Sequence, residues 1–231
     1  ILNKQDGYDI FLYLSNPNEI DFNKDSDKSA RSMTEHYFSI QRILEGLSIN
    51  FIMYASTVRV HDRKKNIYAK THLLIESQIK KYTSENCILL SIARFGNIFG
   101  GTIESMVKRH TLVPHVFIKN AIEKGEIILK TNGNQSRDFT PMSMVNKYIS
   151  YILENKPLVI DVCTGHNIKV IDVVRILNNF FQDININLST DTIEENITQY
   201  SSILKIEKRT IEGEIINTAS KWKEYYDSNS Y

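Results

Sequence analysis

The feature that most constrains the fold is an alternation, early in the chain, of short apolar runs and longer amphipathic segments. The apolar runs predict strands at 8–15, 50–55 and 87–95. Apolar residues at helical spacing predict helices at 29–47 and 67–83 between them. Strands that are apolar throughout are typical of parallel sheets with both faces covered. The order of the segments therefore predicts an α/β fold with a doubly wound parallel sheet.

The second half of the chain continues with both kinds of segment but in a more polar setting. The predicted elements are helices at 114–125, 141–154, 169–181 and 214–227 and strands at 126–130 and 158–163. We expect two domains, residues 1–110 and residues 111–231, with some segments of the second returning to the first.

Composition excludes several classes of function. The 231 residues carry a formal net charge of +1, so no global basic field favours nucleic acid. No uncharged apolar run is long enough to span a membrane. Cys87 and Cys163 lie in apolar runs, without histidines at ligand spacing, which predicts buried, reduced thiols, no metal site and a cytoplasmic location.

Several polar residues stand where a parallel sheet binds its ligands, just beyond the carboxyl ends of strands. Ser15, Thr57 and Asn97 each follow a predicted strand. Tyr68 opens the next helix after Thr57, and His72 follows at i+4 on the same helix face. A hydroxyl, a phenol and an imidazole in one cleft can form an acid/base relay. The alternative from spacing alone is that Tyr68 and His72 are half-exposed helix residues.

Six segments, in order, strengthen the first interpretation. They are YDIFLYLS, FIMYASTVRVHD, YAKTHLLIE, SIARFGNIFGG, GNQSRDFTPMSMV and VIDVCTGHNIKVIDVVRIL. Together they resemble the motifs of the extended short-chain dehydrogenase/reductase family, the NAD-dependent sugar-nucleotide epimerases and dehydratases. The resemblance implies a Rossmann-like sheet and places Ile1 just before the family's fourth strand. It also implies that residues 1–110 are the remainder of the dinucleotide-binding domain with the catalytic residues, and that residues 111–231 form mainly a smaller α/β region that binds the nucleotide sugar. None of the nine glycines forms a phosphate-binding loop. We therefore expect roughly seventy residues, carrying the first βαβ unit, to precede Ile1.

The resemblance also implies roles for individual residues. The catalytic positions are Thr57, Tyr68 and His72. The cofactor-binding positions are Ser15, Asn16, Ser56, Tyr68, His72, Phe95 and Ile98. The substrate-binding positions are Asn97, Val113 and Arg137. Arg137 corresponds to the arginine that grips the nucleotide diphosphate, for which a planar guanidinium is suited; the alternative is a solvated loop charge.

The chain departs from the family pattern at the catalytic lysine, whose position is taken by His72. A neutral histidine donates one hydrogen bond but supplies less positive field than lysine. Two alternatives follow: a Tyr68 phenol with a higher pKa and slower proton transfer, or a protonated His72. On either alternative, His72→Lys is expected to speed turnover or to move the pH optimum of turnover downward. If neither the rate nor the pH optimum changes, the proposed effect of His72 on Tyr68 is contradicted.

Other departures narrow the reaction. The family's sugar 4,6-dehydratases follow the catalytic threonine with Asp-Glu, whereas Thr57 is followed by Val58 and Arg59. Arg59 also takes the place of the cysteine used in combined epimerisation and reduction. The resemblance thus implies hydride transfer, as an oxidoreductase or 4-epimerase on a nucleotide-activated sugar, in surface polysaccharide or sugar-nucleotide biosynthesis. The alternative is a non-catalytic dinucleotide-binding module or sensor.

The resemblance implies partners as well. The cofactor is expected to be NAD, with NADP equally compatible with the sequence. Relatives dimerise through the two helices that flank the catalytic strand. In this chain those helices are 29–47 and 67–83, and their apolar faces favour a homodimer. The alternative is that both faces are used entirely against the sheet.

Overall fold

A computed structural model describes residues 7–13, 22, 24–45, 48–62, 66–108, 112–182, 184–189 and 200–229. The strands are β1 (Gly7–Tyr13), β2 (Ser48–Thr57), β3 (Leu89–Phe95), β4 (Asn97–Phe99), β5 (Glu126–Leu129), β6 (Ser136–Pro141), β7 (Val159–Val162), β8 (Asn167–Lys169) and β9 (Asn185–Leu188). The helices are α1 (Ser26–Leu44), α2 (Ile67–Glu85), α3 (Ile103–Lys108), α4 (His115–Lys124), α5 (Met142–Asn155), α6 (Val170–Phe181) and α7 (Lys208–Asn229), and a 3-10 turn spans Val58–His61.

The chain divides into two compact units. The first unit comprises residues 1–95 and 150–162, and the second comprises 96–149 and 163–231. The first of these units ends at residue 95 before residues 150–162 return to it, and the functional domains 1–110 and 111–231 stay a prediction. Residues 150–162 return to the first unit because β7 pairs with β3.

The first unit contains a four-stranded sheet in the order β1-β2-β3-β7, and every pairing in it is parallel. Strand β2 lies between two neighbours and is buried along most of its length, as a continuous apolar run predicts. Helices α1 and α2 contact each other and connect consecutive parallel strands. The expected parallel α/β fold is confirmed.

The second unit is built from shorter strands. Strand β6 pairs in parallel with β4 and antiparallel with β8, while β5 pairs in parallel with β9. A separate hydrophobic core lies among α4, α6, α7 and these strands. Trp222 of α7 is fully buried in this core.

Several expectations need correction. The predicted strand at 87–95 begins at Leu89, and Cys87 is exposed, with a φ of 55°, in the turn that precedes it. Cys87 is therefore not the buried thiol we expected, because the apolar run starts inside a turn; Cys163 is buried as predicted. The sequence pattern missed β4, α3, β6, β8 and β9, which are too short to show a period.

Two of the predicted site residues, Ser15 and Asn16, lie outside the described residues. Among the helices that are described, none is both long enough and apolar enough to cross a membrane.

Candidate functional site

The carboxyl edge of the parallel sheet aligns the ends of three strands. Thr57 at the end of β2 is the register partner of Phe95 in β3, and Phe95 in turn pairs with Val162 in β7. Ligands of parallel sheets bind beyond this edge. Thr57, the predicted catalytic residue, and Phe95, a predicted cofactor-binding residue, therefore lie side by side on adjacent strands.

The Thr57 side chain is held by the turn that follows it. Its Oγ1 accepts a hydrogen bond from the backbone N–H of Arg59 at 3.2 Å and so caps the 3-10 turn. Arg59 forms an ion pair with Asp62 at 3.0 Å, and Val58 is buried. Because Thr57 Oγ1 accepts from the turn, its own proton can be donated to a bound oxygen atom.

The beginning of α2 positions Tyr68 and His72. Asn66 caps the helix by accepting the N–H of Ala69 at 3.0 Å, which fixes where the first turn starts. Tyr68 is 8% exposed and His72 is 1% exposed. The two rings meet edge to face with centroids 4.7 Å apart. The alternative of half-exposed helix residues is therefore wrong.

His72 also contacts the neighbouring strand. Its Nδ1 lies 3.0 Å from the hydroxyl of Tyr54 in β2, while its Nε2 is buried and has no hydrogen-bond partner within the described part of the chain. Burial lowers the pKa of His72 from 6.5 to about 4, and the nearby Glu76 carboxylate opposes that shift only in part. The imidazole is therefore neutral at pH 7, which favours the first of the two alternatives for Tyr68.

A buried network of ionic and polar side chains links α2 to strands β2 and β3. Ser56 Oγ donates to Glu76 Oε1 at 2.6 Å. Arg94 donates to both oxygens of Glu76, at 3.0 and 2.6 Å, and this bond raises the pKa of the guanidinium. Ser56, which we predicted to bind cofactor, thus uses its hydroxyl proton to tie β2 to α2.

The turn after Thr57 has a further anchor in the sheet. His61 Nε2 lies 2.9 Å from Asp161 Oδ1 in β7. The 3-10 turn also packs against α2. The segment that follows Thr57 is therefore fixed both to a strand and to the helix that carries Tyr68.

In the second unit a carboxylate organises the loop between β7 and β8. Asp138 in β6 is 1% exposed and accepts hydrogen bonds from the N–H groups of Thr164 and Gly165 and from the hydroxyls of Thr164 and Thr140, at 2.7–3.2 Å. Burial raises the pKa of Asp138, and these hydrogen bonds oppose the shift. The loop lines a cavity of about 580 Å³.

The predicted substrate-binding residues also belong to the second unit. Asn97 is exposed, and its Nδ2 donates to the backbone oxygen of Asp138 at 3.2 Å. Arg137 is partly buried and donates to the backbone oxygen of Ser136 at 3.0 Å. Val113, which precedes a cis proline, is partly buried, as is Ile98.

The structure thus brings Thr57, Tyr68, His72 and Phe95 into the first unit and Asn97, Ile98, Val113 and Arg137 into the second. Sequence reasoning missed Tyr54, the Arg94 pairing with Glu76, and the role of Asp138. Polar residues in buried runs were the available signal, because buried polar groups need partners. Within the described part of the chain, no cluster of three or more potential ligands is placed to hold a metal.

Comparisons with known proteins agree with this fold. Residues 53–162 match the model of the NAD dependent epimerase/dehydratase family. The dTDP-L-rhamnose 4-epimerase of Burkholderia thailandensis is 28% identical over 122 residues, which are 52% of this chain. The matched region is 33% of that relative, so the chain aligns with about a third of the relative's length.

Two solved structures show the same fold at low sequence identity. UDP-N-acetylglucosamine 4-epimerase from Methanobrevibacter ruminantium, in complex with UDP-N-acetylmuramic acid, superposes with a TM-score of 0.79 at 15% identity, over 94% of this chain and 77% of that one. A variant of UDP-glucuronic acid 4-epimerase from Bacillus cereus, with a substrate analogue and NAD, gives 0.78 at 16%, over 94% and 76%. The segment of this chain that is similar to the NAD dependent epimerase/dehydratase family, residues 53–162, contains Thr57, Tyr68 and His72.

Proposed function

We propose that the protein is an NAD(P)-dependent oxidoreductase or 4-epimerase that acts on a nucleotide-activated sugar. The observation that carries the proposal is the packing of Tyr68 against His72 at the start of α2, beside the strand end that presents Thr57. A non-catalytic module has no need of a hydroxyl and a phenol in this arrangement. The 4-epimerase activities named for the relatives support the same reaction class.

Each residue has a distinct task in this proposal. Thr57 donates its hydroxyl proton to the sugar oxygen, because its Oγ1 already accepts from Arg59. The step requires Tyr68 as the phenolate, which accepts the proton of the reacting sugar hydroxyl, becomes the neutral phenol and returns the proton when the ring carbon is reduced. His72 is neutral and contributes a hydrogen bond rather than a charge.

One observation indicates that the first unit fits a dinucleotide cofactor. The buried Nε2 of His72 has no partner among the described residues, and a ribose hydroxyl is a suitable one. His72 and Tyr68 would hold the nicotinamide half, with Phe95 at the neighbouring strand end. A bound nicotinamide would supply reversible hydride transfer at the sugar carbon.

The segment after Thr57 favours simple hydride transfer over dehydration. Val58 is buried, and the Arg59 guanidinium is paired with Asp62. Neither residue can serve as the acid or base that removes water from a sugar. We therefore propose oxidation and re-reduction at one ring carbon as the chemistry of the site.

The nucleotide end of the substrate is assigned to the second unit. We propose that Arg137 binds the diphosphate and that Asn97 and Val113 contact the sugar nucleotide. A guanidinium on a strand of the second unit suits paired phosphate oxygens. Arg137→Met is expected to raise KM for the sugar nucleotide much more than it lowers kcat, because the residue does not contact the reacting carbon.

A homodimer through α1 and α2 is part of the proposal, with a smaller contact surface than the sequence indicated. Most of the apolar residues of these helices pack into the protein's own core: Met33, Tyr37, Leu44, Ile79 and Tyr82 are buried. Phe38 and Leu74 are left 42% and 48% exposed. These two side chains support an interface between copies. A cytoplasmic location and a role in polysaccharide biosynthesis stay predictions.

The test is an activity screen with dTDP- and UDP-hexoses and NAD or NADP. Absorbance at about 340 nm reports net oxidation or reduction by the nicotinamide, and NMR analysis of the sugar reports epimerisation. Tyr68→Phe and Thr57→Val are each expected to lower kcat about 100-fold or more, as loss of a proton-transfer group does. Tyr82→Phe removes a phenol oxygen from the same core cluster and is expected to keep full activity.

Two results would separate the proposal from its alternative. Binding of NAD without turnover of any sugar nucleotide would favour the dinucleotide-binding module. Full activity in the Tyr68→Phe protein would contradict the proposed relay even if the wild-type protein turns over sugar nucleotides.

A further inference from the structure

The two ring nitrogens of His72 have different surroundings. Nδ1 lies 3.0 Å from the Tyr54 hydroxyl, whereas Nε2 is buried without a hydrogen-bond partner in the described residues. A buried polar atom left without a partner destabilises the folded protein. Such an atom in a site of this kind is a candidate for contact with a ligand.

The position of the His72 ring is fixed from two sides. Tyr54 lies on β2 and is fully buried, so its hydroxyl is held at a defined place beside Nδ1. Tyr68 packs edge to face on the ring at 4.7 Å, and Phe22 packs on Tyr68 at 5.1 Å. The imidazole ring therefore has little freedom to flip and exchange the positions of Nδ1 and Nε2.

The direction of the hydrogen bond between the Tyr54 hydroxyl and Nδ1 is linked to which nitrogen carries the ring proton. A neutral imidazole has one N–H donor and one acceptor, and the partner of one nitrogen sets the state of the other. A phenol donates a hydrogen bond readily. If it donates to Nδ1, the single ring proton is on Nε2, and Nε2 becomes a donor. Burial keeps a second proton away near neutral pH.

We propose that Tyr54 is a positioning residue that holds His72 as the Nε2–H tautomer, so that the site presents one uncharged N–H donor to a hydroxyl oxygen of the bound ligand. The proposal rests on the proposed function for the identity of that ligand. The hydroxyl belongs either to the ribose of the dinucleotide or to the sugar substrate. An uncharged donor suits a neutral hydroxyl oxygen, which does not need a counter-charge.

The tautomer can be read directly from the ¹⁵N chemical shifts of the histidine rings in the labelled protein. His72→Gln identifies the His72 signals by their disappearance. We expect an unprotonated Nδ1 and a protonated Nε2, with no charged form between pH 5 and pH 8. Tyr54→Phe is expected to move both signals towards an average of the two tautomers, whereas Tyr82→Phe is expected to leave them in place.

A protonated Nδ1 in the wild-type protein would overturn the proposal, and this result needs no variant to fold. Unchanged His72 signals in a folded Tyr54→Phe protein would overturn it as well. Neither result depends on turnover. The role of Tyr54 can therefore fail while the proposed function stands, or stand while that function fails.

The source of the hydroxyl is tested by adding NAD and a sugar nucleotide to the protein separately. The ligand that supplies the hydroxyl is expected to shift the Nε2 signal more than the Nδ1 signal. Tyr54→Phe should weaken binding of that same ligand about fivefold, which corresponds to about 1 kcal/mol. Binding of both ligands without a change at Nε2 would overturn the assignment. Binding of neither would contradict the proposed function too, while the tautomer measurement still decides the role of Tyr54.

Discussion

The buried imidazole of His72 predicts a specific pH dependence of stability. Replacement by glutamine in His72→Gln keeps a polar side chain of similar length but removes the titration. In the folded wild-type protein the pKa is about 4, against 6.5 for an ordinary histidine. Between these values the unfolded chain binds a proton that the folded chain does not, so the free energy of unfolding falls as the pH is lowered.

The size of the effect follows from the two pKa values. Each unit of difference corresponds to about 1.4 kcal/mol. Lowering the pH from 7 to 5 should therefore remove about 2 kcal/mol of stability through His72. Above pH 7 the contribution of His72 to stability hardly changes with pH, because the imidazole is neutral in both the folded and the unfolded chain. The wild-type protein is expected to lose this amount of stability in addition to the change caused by its other titrating groups. The His72→Gln protein is expected to show only the change caused by the other groups.

The measurement is urea denaturation of both proteins at pH 7 and pH 5. The change in the free energy of unfolding between the two pH values is compared between the wild-type protein and His72→Gln. Tyr82→Phe serves as the control, because it alters another buried side chain of the same core cluster and burial raises the pKa of the Tyr82 phenol above its ordinary value of 10, outside this pH range. That control is not expected to flatten the pH dependence. If His72→Gln loses as much stability as the wild-type protein between the two pH values, the imidazole is not desolvated and the neutral state assigned to it is wrong.

Three further substitutions test other parts of the structure. Asp138→Asn replaces a charged acceptor of loop N–H groups and should lower the free energy of unfolding by about 2–3 kcal/mol in urea titrations. The control Asp172→Asn, in an exposed ion pair, should change it by less than about 0.5 kcal/mol. Equal losses in the two variants would contradict the role of Asp138 in holding the loop. Arg94→Met leaves the buried Glu76 carboxylate without its cation and should lower the free energy of unfolding by about 3–5 kcal/mol. Adding Glu76→Met should recover most of this loss of stability. If the double variant recovers none of it, the two side chains are not coupled. Leu74→Glu should shift the protein towards the monomer in light scattering, and an unchanged mass would count against the α1 and α2 interface.

Part of the site was predictable because it lies on long, regular segments. The apolar run of β2 and the helical spacing of α2 placed Thr57 at a strand end and Tyr68 and His72 on one helix face. Strands β6, β8 and β9 escaped prediction because they are short and interrupted by polar residues, whereas the equally short β5 and β7 lie in apolar runs. Cys87 was misplaced for a related reason, since an apolar run does not reveal a left-handed residue at its start.

The sequence by itself determined the parallel sheet, the order of its elements and the residues at its carboxyl edge, because hydrophobic periodicity and turn residues are local properties. Only the tertiary structure decided the protonation of His72, the contact with Tyr54 and the network of Ser56, Glu76 and Arg94. These properties depend on burial and on side chains that lie 18–20 residues apart. Desolvation and hydrogen bonding act through space, so the position of His72 in the motif did not show that it is a neutral donor.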